Sequence, residues 1–154
     1  MSSVLAAVRP DSWNFPLLLH VFGAMVLTAL LASLAVLLVV SLRRGGDQRA
    51  ALVLAARIFT VGIVPSYLLM RIAAEWIASK EDAPDDATWI GIGYIATDMG
   101  LLILIVIGVL VSIANRRMKR ERQPGRVIQP AMVLTLLLIA TYAVALWAMT
   151  TKPA

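Results

Sequence analysis

The chain of 154 residues contains no cysteine and a single histidine, His20. Without cysteine it cannot form a disulfide, use a thiol in catalysis or hold an iron–sulfur cluster through its own side chains. A haem site with two histidine ligands would therefore need a second copy of the chain. Within one copy, a different kind of side chain would have to replace the second histidine. Gly-rich phosphate loops and the HExxH and GxSxG motifs are also missing. We therefore do not expect an autonomous hydrolytic enzyme.

Charged residues are scarce, at 15%, whereas hydrophobic residues make up 60% of the sequence. A soluble domain is roughly 45–50% apolar. The apolar residues form four runs, each long enough for a bilayer-spanning helix of about 20 residues. We predict an all-α polytopic membrane protein, with residues 1–154 forming one domain, a bundle of four transmembrane helices. The predicted helices cover about residues 15–42, 51–79, 89–114 and 130–150.

The net charge of +5 comes mainly from two basic loops beside the apolar runs. The loops after the first and third helices contain these basic residues: Arg43, Arg44, Arg49, Arg116, Arg117, Lys119, Arg120, Arg122 and Arg126. The loop after the second helix, KEDAPDD, has one lysine against four acids. Because basic loops stay in the cytoplasm, we predict a multi-pass protein of the cell membrane with its N and C termini outside. No aromatic platform accompanies the basic residues, so we expect the lipid bilayer and not nucleic acid as a partner.

One face of the second helix carries polar side chains within an otherwise apolar run. Tyr67, Arg71 and Glu75 recur every four residues, so a helix places them in one stripe. Ionisable groups inside a membrane are tolerated when they pair. We therefore expect this stripe to face protein.

Polar residues of the other helices lie at a similar level. At a rise of 1.5 Å per residue, Asp98 lies about 27 Å from Arg116, and His20 lies about 34 Å from Arg43. Both therefore belong to the outer half of the membrane. We predict a polar cluster near the outer face, formed by His20, Tyr67, Arg71, Glu75, Tyr94, Asp98 and Tyr142.

On the first helix, small or polar residues recur every four positions, at His20, Ala24, Thr28 and Ala32. Small side chains let helices approach closely in lipid, where close packing and hydrogen bonds drive association. We expect this face of the first helix to be buried.

On the second helix, Pro65 predicts a bend.

The predicted cluster is compatible with several functions. Arg71 paired with Asp98 or Glu75 can fix helix register in an accessory or scaffold protein, or it can belong to a ligand site or relay. A proton-coupled transport or ion-conducting element would use the same carboxylates together with Tyr94 and His20. Small-residue faces leave both a homo-oligomer and a membrane-complex partner open.

His20 is also a candidate ligand of haem b or copper, because histidine is a usual axial haem ligand and a common metal ligand. A thioether from Met25, Met70 or Met99 could complete such a site from the same side of the membrane. An open position or a second protomer could also complete it.

The segment from Leu17 to Ser33, LLLHVFGAMVLTALLAS, resembles the first helix of small bacterial integral membrane proteins related to the copper-resistance-D type. In that family a histidine followed by small residues opens a four-helix unit, and the matching positions are His20, Gly23 and Ala24. The resemblance covers this helix and the four-helix plan. It implies a protein of the bacterial inner membrane with a haem or copper connection at His20. We accordingly favour an accessory component of respiratory or metal-related character.

Overall fold

A computed structural model describes residues 14–43, 48–79, 88–120, 123 and 125–151. Span one is the helix Asn14–Leu42, and span three is the helix Thr88–Lys119. Span two combines an α-helix, Gln48–Arg57, a π-helical segment, Ile58–Ile63, and a second α-helix, Val64–Ala78. A short 3-10 turn, Gly125–Val127, precedes span four, Ile128–Thr151. The acidic loop KEDAPDD, residues 80–86, lies outside the described residues.

All four spans are long and apolar enough to cross a membrane, and the described residues contain no strand. The predicted all-α, four-helix membrane bundle is therefore confirmed. Span two begins at Gln48 and span three ends at Lys119, so both helices extend further into the basic segments than predicted. A helix satisfies its own backbone groups near the bilayer surface, and long basic side chains can reach the headgroups from it.

The spans pack in a ring. Span one contacts spans two and four, and span three contacts span four and the first part of span two. The short connections after Leu42 and Lys119 lie at the same end of the bundle, which we call the basic end. The other end, near Ala78 and Thr88, is called the opposite end.

A row of leucines on span one forms the centre of the core. Leu27, Leu31, Leu34 and Leu38 are fully buried, at spacings of three and four residues that keep a helix face turned towards its neighbours.

The face of span one that was predicted to be buried is buried only in part: His20 and Ala24 are partly buried, whereas Thr28 and Ala32 are exposed. Each four-residue step advances about 40° beyond a full turn, so a row that starts at His20 drifts off the contact face within three steps. The leucine row alternates its spacing and does not drift.

The second span changes its winding just before Pro65. The Val64 N–H donates to the carbonyl of Phe59, five residues back, where an α-helix would use the fourth. Pro65 has no N–H to donate, and the Thr60 hydroxyl donates to the Ala56 carbonyl at 2.9 Å. The sequence predicted a bend at this proline, and the structure places a π-helical segment there.

Candidate functional site

The polar stripe of span two faces span three. Tyr67 is buried, and its hydroxyl donates to the backbone carbonyl of Thr97 at 3.2 Å. One turn further on, Arg71 is partly buried, with 27% of its side chain exposed. The four-residue spacing of the stripe therefore places these two side chains on the same neighbouring helix.

Arg71 is the centre of a small charged group. Its Nη2 lies 2.8 Å from Glu75 Oε1 and 3.3 Å from Asp98 Oδ1, so one guanidinium pairs with two carboxylates. The guanidinium carbon also lies 5.1 Å from the centre of the Tyr94 ring, within the range of a cation–π contact. We call Arg71, Glu75, Tyr94 and Asp98 the Arg71 cluster. Its formal charge is one negative.

Side chains and not backbone packing join spans two and three at the opposite end. The first α-helix of span two packs closely on span three, whereas the second α-helix, Val64–Ala78, makes few close backbone contacts with it. The long side chains of Tyr67 and Arg71 cross this wider gap. Long polar side chains reach a partner that is too distant for small-residue packing.

Asp98 is exposed on an apolar face of span three. Its carboxylate is 65% exposed, and Ile95, Met99 and Leu102 at neighbouring positions on the same helix face are exposed as well. Glu75 is 51% exposed. The Arg71 cluster therefore lies at the surface of the bundle, with its carboxylates outermost.

His20 lies on the other side of span two. Its Nδ1 lies 3.1 Å from the backbone carbonyl of Met70, to which it can donate a hydrogen bond. Gly23 permits this close approach, since a methyl group there would lie 3.0 Å from the Met70 backbone nitrogen. Among the described residues, no hydrogen bond or ion pair joins His20 to the Arg71 cluster. The single predicted cluster is divided at this point.

Tyr142 of span four lies beside the Tyr67 contact, about one turn along span three from Thr97. Its hydroxyl is buried and has no hydrogen-bond partner among the described residues. It lies against Gly100 of span three, where an added methyl group would be 2.8 Å from the hydroxyl oxygen. The structure thus brings Tyr67, Arg71, Glu75, Tyr94 and Asp98 together, with Tyr142 on the next turn of span three, and it places His20 on the other side of span two.

Of the three methionines considered as further ligands, only Met70 contacts the residues around His20. The side chain of Met70 is buried, whereas Met25 and Met99 are exposed on the surfaces of spans one and three. Within the described residues there is no group of three or more histidine, aspartate or glutamate side chains that could hold a metal ion.

Two acceptors in these contacts could not be found from side-chain patterns. The Tyr67 hydroxyl and the His20 ring both bind backbone carbonyls, at Thr97 and Met70. Every residue has a backbone carbonyl, so the residue type does not mark the acceptor. Which carbonyl accepts the hydrogen bond depends on how the two helices are shifted along their axes.

Comparisons with protein families, curated proteins and solved structures found no match to this chain.

Proposed function

We propose that the protein is an accessory component of a membrane assembly and that the Arg71 cluster is its contact site for a second membrane-protein chain. The chain spans the membrane four times and is nearly all bundle. Between spans two and three, at the opposite end, it brings one arginine and two carboxylates together: Arg71, Glu75 and Asp98.

The exposed carboxylate of Asp98 carries this proposal. Arg71 is shared with Glu75, so the group keeps one excess negative charge. An ionised group within a membrane is costly unless it has a partner or reaches water. A basic side chain from a neighbouring helix would neutralise the charge, and Ile95 and Leu102 beside it offer an apolar surface for that helix.

A photo-crosslinking experiment tests this proposal. A photoreactive residue at Leu102, on the face of Asp98, should give a crosslinked product in native membranes. We expect Asp98→Asn to reduce the product about fivefold, since one charge pair is lost, and Asp98→Glu to retain it. The same photoreactive residue at Leu146, exposed on span four, is the matched control and should not respond to either substitution.

The mass of the product distinguishes a second copy of the chain from a different subunit. A product from Leu102 that is equally strong with aspartate and asparagine at position 98 would contradict the proposed contact. A chain that gives no product from Leu102 and purifies as a lone monomer would contradict it as well.

A second candidate function is ligation of haem or copper by His20, and one contact favours it. Metal-ligating histidines usually donate their other ring N–H to a carbonyl or carboxylate, which orients the ring. The Nδ1 contact with the Met70 carbonyl matches this arrangement and leaves Nε2 as the coordinating atom. The resemblance to proteins of the copper-resistance-D type points to the same residue. A bound haem would supply electron transfer, and His20 would supply one of its ligands.

Absorbance and copper content of the natively purified protein test this second candidate. A Soret band or bound copper should be present in the unaltered protein and lost in His20→Ala. Tyr94→Phe is the control and should leave both unchanged. Protein without a Soret band after expression with added haem, and without copper, would remove the candidate.

We also propose that the basic end lies in the cytoplasm, which places both termini outside the cell membrane. Arg116, Arg117 and Lys119 all lie in the last turn of span three, at that end. Excess lysine and arginine in short loops marks the cytoplasmic side. A reporter fused to the C-terminus should be active outside the cytoplasm, and a cytoplasmic signal would reverse the orientation.

A further inference from the structure

A groove runs along the bundle surface between spans two and three, in the half nearer the basic end. Its volume is about 390 Å³. Phe59 and Thr60 of the π-helical segment form one wall, and the face of span three from Ile105 to Arg116 forms the other. The groove lies on the opposite half of the interface from the Arg71 cluster and shares no residue with it.

Gly108 sets the shape of this groove. A methyl group at position 108 would lie 2.5 Å from Cε1 of Phe59, so the ring rests where a side chain would otherwise stand. Beside the ring, Ile105, Val109 and Ser112 point outwards on one face of span three. The result is an open channel with a mixed lining, in which Thr60 and Ser112 lie among apolar side chains.

The length of the groove matches one leaflet of a bilayer. Ile105 and Arg116 are eleven residues apart, which corresponds to about 16 Å along a helix. The hydrocarbon core is about 30 Å thick, so one leaflet contributes about half of that. A single acyl chain would fill the channel from the mid-plane to the headgroups.

The polar end of the groove carries positive charge. Arg116 is exposed, and no carboxylate of the described chain pairs with it. A guanidinium matches the geometry of a phosphate and can donate two hydrogen bonds to it. Arg117 and Lys119 in the same last turn of span three add to the positive potential.

We propose that this groove binds an anionic phospholipid from the leaflet at the basic end. One acyl chain lies along Ile105, Val109 and Ser112, and the phosphate group contacts Arg116. The apolar part of the lining, Phe59, Ile105 and Val109, supplies contact for any lipid chain, and the arginine supplies the preference for a net negative headgroup. Other basic side chains at this end attract anionic lipid without a fixed position.

Native mass spectrometry of the full-length protein in detergent tests the proposal. The protein is titrated with phosphatidylglycerol or with phosphatidylcholine of identical acyl chains. We expect phosphatidylglycerol to bind more tightly, and Arg116→Gln to weaken its binding about tenfold, the effect of losing a direct hydrogen bond between charged groups. Arg117→Gln removes the same charge from the adjacent position, outside the groove, and should weaken binding less than twofold.

A second variant tests the acyl-chain part. Ser112→Phe places a ring in the channel and should reduce the binding of both lipids, because the chain site is then filled. Since Ser112 is exposed, the core is not altered. Val109→Phe, also at an exposed position, is the substitute if Ser112→Phe does not fold. Equal losses in Arg116→Gln and Arg117→Gln would show diffuse attraction and overturn the site. Unchanged lipid binding in the folded phenylalanine variant would overturn it too.

Discussion

The interface between spans two and three is built differently in its two halves. Near the basic end, the helices lie close together and the ring of Phe59 rests on Gly108. Near the opposite end, the backbones are further apart, and Tyr67 and Arg71 reach across. Two helices in lipid can therefore be held either by matching a glycine to a bulky ring or by long polar side chains. The second solution leaves charged groups at the surface, where another molecule can use them.

If the basic-end half depends on close fit, then Gly108→Leu should have the largest effect on stability. The new side chain would occupy the position of the Phe59 ring, which must move from its site. We expect a loss of about 1–3 kcal/mol, as for overpacked cores. Thermal unfolding in detergent, followed by circular dichroism, measures it.

Gly91→Leu is the matched control for that prediction. Gly91 lies on the same span, and a methyl group there would meet nothing within 4 Å. We expect a change within about 0.5 kcal/mol, as for surface positions in general. Equal losses for the two variants would mean that the contact of Phe59 with Gly108 is not what holds this half together.

If the opposite half depends on charge pairing, Arg71→Met should have the next largest effect. The substitution leaves two carboxylates without their shared partner, but both are more than half exposed, so water or headgroups screen the loss. We expect a destabilisation of about 1 kcal/mol or less. The double variant Arg71→Met with Asp98→Leu should recover most of it, because an apolar pair replaces the ion pair. A double-mutant cycle with no coupling between Arg71 and Asp98 would contradict the pairing.

The smallest expected effect is the difference in stability between phenylalanine variants of two tyrosines that contact span three, Tyr67 and Tyr142. Tyr67→Phe removes the hydrogen bond to the Thr97 carbonyl and should cost about 0.5–1 kcal/mol. Tyr142→Phe removes a buried hydroxyl that has no partner in the described part of the chain, so it should be neutral or slightly stabilising. The same melting assay compares them. A larger loss for Tyr142→Phe than for Tyr67→Phe would reveal a partner for the Tyr142 hydroxyl.

The spans and the polar stripe could be predicted from sequence for one physical reason. A bilayer requires long apolar helices, and it makes each charge within them seek a partner. The four-residue spacing of Tyr67, Arg71 and Glu75 therefore predicted a shared face, and their role in function stays a prediction.

The lateral packing of the helices could not be predicted in the same way. The four-residue spacing from His20 to Ala32 predicted a buried face on span one, but Thr28 and Ala32 are exposed because the leucine row occupies the core at their level. The groove and the separation of spans two and three depend on which residue of one helix meets which residue of the next, as Phe59 meets Gly108. A single sequence does not specify how far one helix is shifted along its axis relative to the next.

The π-helical segment Ile58–Ile63 sets the angular phase of everything that follows it on span two. A wide turn of this kind holds one residue more than an α-helix of equal pitch would need, and each residue turns a helix by about 100°. Deleting one residue there would rotate Tyr67, Arg71 and Glu75 together away from Thr97 and Asp98, while Gln48–Arg57 kept its place. The direction of the charged stripe is thus decided by a backbone offset several residues before the stripe begins.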